Sequence, residues 1–104
     1  MRVLTVILLC VTLLPASSAK ERRLQVEYDN VAARASAMLE LVDHVETDLR
    51  QQGLVLNTEI ATSRNGLTAA MNSASDALER KDWSELRKSL DRARGWIDRL
   101  RRQL

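Results

Sequence analysis

From Leu24 onward, apolar side chains recur at spacings of four and three in strict alternation: Leu24, Tyr28, Val31, Ala35, Met38, Val42, Val45 and Leu49. A helix turns once in about 3.6 residues, so this row falls on one face, whereas a half-buried strand needs a period of two. The strand pattern appears nowhere in the chain. The row therefore predicts one long amphipathic helix that buries a single stripe against neighbours at small crossing angles. Leu39 and Leu41 flank the stripe and broaden it, which predicts two neighbouring helices rather than one. Gly53, after the polar pair Gln51 and Gln52, is a stop signal, so this helix is expected over residues 22–52.

A second strict heptad closes the chain: Trp83, Leu86, Leu90, Ala93, Ile97, Leu100 and Leu104. Asp82 precedes it, with Glu85 three residues later, an aspartate form of the capping box, and a helix over 83–103 is expected. Between the two heptads the pattern is weaker. Asn57 or Thr58 can cap a helix over 56–80 with Ile60, Leu67, Met71, Ala74 and Leu78 as its apolar stripe. Asn65-Gly66 is a turn-type dipeptide, yet Ile60, Leu67 and Ala74 keep a spacing of seven across it, which predicts one continuous helix. Three amphipathic helices joined by short turns predict an all-α, three-helix up-down-up bundle with coiled-coil-like heptad seams.

The beginning of the chain has a different character. Arg2 is the only charge in the first nineteen residues, Val3 to Leu14 is apolar but for Thr5 and Thr12, and Pro15 is followed by Ala16, Ser17, Ser18 and Ala19. A positive start, a short apolar run and small residues predict a secretory signal peptide over 1–19, cut after Ala19, and hence export to the periplasm or the medium. The run is too short for a spanning helix, which needs about 20 apolar residues. Cys10, the only cysteine, would leave with the peptide, so the 20–104 domain is expected to hold together without disulfides.

Without Phe, and with one Tyr and two Trp, the core must be aliphatic and rich in alanine, which leaves little material for a deep ligand pocket. Charge is uneven. Residues 24–52 carry six acids against two bases, and residues 82–104 carry seven bases against four acids. Opposite signs on the first and last helices favour their adjacency, or head-to-tail association between molecules. Export and near-neutral overall charge argue against a nucleic-acid partner.

Few residues carry chemistry. His44 is the only histidine, and Glu40 and Asp48 lie one turn to either side, a spacing that could offer three ligands to a divalent ion. The three sit away from the apolar stripe, on a face expected to be solvated, so no metal is assigned, and a small-ligand or metal carrier using the bundle interior or this Glu40, His44 and Asp48 face is kept as the alternative to an interaction module. Haem is not expected: there is no covalent attachment motif, and Met38 and His44 lie on different faces of one helix. No nucleophile, base and pocket converge, and no glycine-rich phosphate loop exists among three glycines, so no enzyme and no cofactor is expected. The feature that stands out is the last helix. Trp96 lies beside the heptad row, with Arg92 four before it and Arg99 three after it, and Arg87, Arg94 and Arg101 repeat every seven residues. Trp with Arg is the composition of interface hot spots. It predicts a docking stripe for an acidic partner or for an anionic membrane surface, with self-association along an apolar seam as the other way the chain could find a partner.

Overall fold

The computed structural model of the chain describes residues 16–104, so the apolar run and Cys10 lie outside the described residues. Three helices account for nearly all of them: α1 (Ala16–Gln51), α2 (Thr58–Glu79) and α3 (Trp83–Gln103), and no strand occurs among the described residues. They pack as a helical bundle.

Helix α1 is already helical at Ala16, the first described residue, and so extends ahead of residue 22. No glycine or proline stands between Ala16 and Gly53, and Ala, Lys, Glu and Arg are strong helix formers, so nothing in the small-residue stretch halts the helix. Its other end is set by Gly53. With φ at +75°, Gly53 occupies the left-handed region, its N–H donates to the Arg50 carbonyl at 3.0 Å, and the Leu54 N–H donates to the Leu49 carbonyl at 2.7 Å. This pair of bonds is a Schellman stop, which satisfies carbonyls that the helix end would otherwise leave open. Helix α2 begins where the Asn57 side chain accepts the Glu59 N–H at 2.8 Å. It runs unbroken through Asn65 and Gly66.

The turn between α2 and α3 repeats the Schellman geometry with an L residue in glycine's place. Lys81 has φ of +56°, its N–H donates to the Leu78 carbonyl at 3.1 Å, and the Asp82 N–H donates to the Ala77 carbonyl at 2.9 Å. The Asp82 side chain then accepts the Glu85 N–H at 3.3 Å to open α3. Left-handed backbone costs an L residue roughly 1–2 kcal/mol. Lys81 is exposed, so Lys81→Gly removes that cost without touching the core. The greater freedom of glycine in the unfolded chain takes back part of the gain. The expected net is about 0.5–1 kcal/mol of added stability, a rise of roughly 3–6 °C in Tm on thermal unfolding followed by circular dichroism.

The core consists of Val31, Ala35 and Val42 from α1, Leu67, Ala70, Ala74 and Ala77 from α2, and Leu86, Leu90, Ala93, Ile97 and Leu100 from α3. Leu24, Tyr28, Met38, Leu39, Leu56, Ile60, Met71, Leu78, Trp83 and Trp96 pack half-buried around it. Two expectations change here. Leu41 and Leu104 are exposed, because Leu41 sits at the open edge of the α1–α3 contact, beside Met38, Ile97 and Arg101, and Leu104 stands at the C-terminal end of α3, beyond its last turn.

The stripe of α2 also differs from expectation. Leu67 and Ala74 are buried as predicted, but Ile60, Met71 and Leu78 are only half-buried, and Ser63, Ala70 and Ala77 are buried in their stead. The buried row Ser63, Leu67, Ala70, Ala74 and Ala77 again follows spacings of four and three, now written mostly in small side chains. Small residues allow two helices to approach closely, and α2 uses them against α3. The Ser63 hydroxyl, 1% exposed, donates to Gln103 Oε1 at 2.9 Å across that contact, and no buried side-chain polar atom among the described residues lacks a partner. Cross-helix pairs place the ends: Glu27 of α1 meets Arg94 of α3, Glu46 of α1 meets Arg64 of α2, and Ser63 of α2 meets Gln103 of α3. Helices α1 and α3 thus run in the same direction and α2 runs against them.

Candidate functional site: the basic cleft between the first and third helices

The six side chains expected to dock from α3 do not form one stripe. They divide between two sides of the helix. Arg87, Arg94 and Arg101, seven apart, face α1. Arg94 Nη2 lies 3.4 Å from Glu27 Oε2, with both side chains partly exposed, and it also holds Asp91 on its own helix at 3.0 Å. Exposed pairs of this kind contribute about 0.2–1 kcal/mol each, so they orient the side chains more than they stabilise the bundle.

Trp96 and Arg99 lie on the side toward α2. The Trp96 indole is half-buried and lies on Gly66, so close that a Cβ at Gly66 would fall inside contact distance of ring atoms Cδ2, Cε2 and Cζ2. Gly66 is therefore a seat for the indole, not a turn. The Arg99 guanidinium carbon stands 5.4 Å from the Trp96 ring centroid, within cation–π range. Arg92 shares that side by helical spacing but turns along α3, donating to Glu85 Oε1 and to the Ser89 hydroxyl, each at 3.2 Å. The sequence signal that could have found the Trp96–Gly66 contact was the glycine itself, which sits on the apolar side of a helix where alanine would otherwise be favoured.

With part of the Trp96 ring laid on Gly66, further apolar surface of α3 opens on the α1 side. There the two helices enclose a groove of about 470 Å³ near their N-terminal ends. Leu24 and Trp83 form its floor, Lys20, Arg87 and Lys88 its basic rim, and Glu21 and Asp91 its acidic one. Arg23 extends the basic rim on α1. Further along the same pair of helices, past the Arg94–Glu27 bridge, a shallower stretch of about 240 Å³ runs between Arg34, Ala37, Met38 and Leu41 on α1 and Ile97 and Arg101 on α3. The cleft thus alternates apolar floor with guanidinium rims. Trp83, a core residue by its heptad position, belongs partly to it.

Glu40, His44 and Asp48 are all exposed on α1, and among the described residues no three His, Cys, Asp or Glu side chains stand where they could hold a metal ion. No helix of the described residues is long and apolar enough to cross a membrane. No protein-family model, no curated protein and no solved structure matches this chain.

Proposed function

We propose that the chain is an exported, non-catalytic interaction module of the periplasm or cell envelope, cut after Ala19 and docking through the arginine-bearing sides of α3. In this reading the up-down-up order and the heptad seams of α1 and α3 form a scaffold, and the cleft between α1 and α3 is the working surface. One observation carries the choice of surface: Arg87, Arg94 and Arg101 flank a cleft floored by Leu24, Trp83 and Met38, which joins apolar contact to positive charge. Aromatic and arginine side chains in such a setting are the usual energetic anchors of protein interfaces. Trp96, Arg92 and Arg99 supply the opposite side, with Trp96 already spending part of its ring on Gly66.

Export is tested by N-terminal sequencing of the protein recovered from outside the cytoplasm, which is expected to begin at Lys20. Docking is tested by photo-crosslinking in cells from a photoreactive residue at position 87 and, in a separate variant, at position 96. A discrete intermolecular adduct is expected from position 87. From position 96 the crosslink is expected to fall mainly on α2 of the same chain. A folded, exported protein that gives no intermolecular adduct from either position would overturn the reading.

A further inference from the structure

Helix α1 is the member of the bundle least tied to the others. Among the described residues it brings Val31, Ala35 and Val42 into the buried core, while α2 and α3 supply the rest of it. Its ion pairs to them, Glu27–Arg94 and Glu46–Arg64, are both partly exposed. An element with few buried contacts is the one that opens first. Residues 52–57 join it to α2 and contain no proline. Gln52, Leu54, Val55 and Leu56 can all stand in a helix, so the link turns back only because Gly53 adopts a φ of +75° and Asn57 caps α2.

The apolar rows on either side of this link are in phase. Read backward from Ser63, the buried row of α2 continues at spacings of three and four through Ile60, Leu56 and Gly53 to Leu49, the last member of the α1 row. Leu56 already packs against the core from within the link. The alternation slips once, where Val45 to Leu49 and Leu49 to Gly53 are both steps of four, and a helical seam absorbs one such stutter by slight local unwinding. A straightened link would therefore join α1 and α2 into one helix with one continuous inner face.

We infer that α1 is exchanged between two copies of this chain. With both links straightened, α1 of each molecule lies against α2 and α3 of the other, in a closed twofold dimer. The occupant is specified by the seat it fills: every contact that α1 makes within one molecule is remade by the α1 of the second, so no new complementary surface is required. The Leu24–Trp83 groove lies at the end of the bundle away from the link, so the dimer carries one groove at each far end, each built from two chains. The docking reading above neither requires the exchange nor falls with it.

The test uses the chain as cells process it, refolded at high concentration so that slow opening does not trap one form, and followed by sedimentation velocity on dilution. The wild type is expected to give a monomer and a dimer and nothing larger. Gly53→Ala is expected to dimerise at least about a hundredfold more tightly. A Cβ at Gly53 meets nothing within 4 Å, so the change acts through the backbone alone. Alanine is strained in the left-handed turn and favoured in the straightened helix, and each dimer has two links. Four flexible residues inserted between Gly53 and Leu54 give the turn slack and interrupt the straightened helix, and this variant is expected to stay monomeric. Glu27→Cys with Arg94→Cys, in a Cys10→Ser background, identifies the exchange itself. A short bis-maleimide joining positions 27 and 94 is expected to link two chains in the dimer fraction and to close within one chain in the monomer fraction. A wild type without a dimer at any concentration, a folded Gly53→Ala protein that dimerises no more tightly than the wild type, an insertion variant that dimerises as the wild type does, or a dimer fraction crosslinked only within single chains would each overturn the proposal.

Discussion

Gly66→Ala is expected to destabilise the bundle, against the local preference of its helix. In an exposed helix interior the same change gains up to about 1 kcal/mol, since alanine is the better helix former. At Gly66 the added methyl collides with the Trp96 ring, and the neighbour that must yield is a rigid bicycle wedged against the core. Overpacking of this sort costs about 1–3 kcal/mol. Gly95 supplies the control: it lies mid-helix in α3 with nothing within 4 Å of an added Cβ, so Gly95→Ala should stabilise by several tenths to about 1 kcal/mol. Opposite signs at two helical glycines, read from urea unfolding midpoints, separate the seat from the spare position. Removing the ring as well should reverse the first result. In a Trp96→Ala background, Gly66→Ala becomes neutral or stabilising, and the double-mutant cycle reports the contact directly. Destabilisation of equal size in both backgrounds would show that the indole does not rest on Gly66.

Leu90→Ala is expected to remove a large share of the bundle's stability. Leu90 is fully buried in the core, and the buried row that α2 brings to that core is mostly small (Ser63, Ala70, Ala74 and Ala77), with side chains too short to fill the space a lost leucine would leave. Buried Leu→Ala changes cost about 2–5 kcal/mol, the upper part where the site cannot collapse. A domain of this size has about 5–10 kcal/mol in total, so the variant should be partly unfolded near physiological temperature. Chemical denaturation with the mid-point compared at fixed m-value measures it. A loss under about 1 kcal/mol, below the range for buried leucines, would mean that the α2–α3 contact is looser than the burial of Leu90 implies.

The helices were legible because their signals were redundant. The first heptad row and Gly53 both mark α1, and the second heptad and the Asp82–Glu85 pair both mark α3, which spans Trp83–Gln103. Legibility failed where volume, not polarity, decides burial. Ser63, Ala70 and Ala77 are weakly apolar or polar, yet they are buried because α3 comes close enough to exclude larger side chains, while Met71 and Ile60 are pushed to the edge. The same blindness hides the seat of Trp96 on Gly66, since a glycine–indole contact joins residues thirty positions apart and leaves no local pattern. The division of the α3 arginines between two sides of the helix was present in their spacing, because Arg87, Arg94 and Arg101 are a heptad in phase with the side toward α1. What spacing could not say was which neighbour each side meets. That depends on where α1 packs, and the Glu27–Arg94 pair places α1 beside this side of α3.

The small-residue row of α2 has a consequence for how this chain tolerates drift. A random substitution at Leu86, Leu90 or Leu100 most often removes atoms, and the damage is a hole. At Ser63, Ala70, Ala74 and Ala77 almost every substitution adds atoms, and the damage is a wedge that forces α2 away from α3. The two helices of one interface therefore fail in opposite ways, one by hollowing and the other by prising apart. Shrinking a side chain on α3 and enlarging its neighbour on α2 could cancel, so changes that are harmful singly should be found tolerated in pairs across this contact.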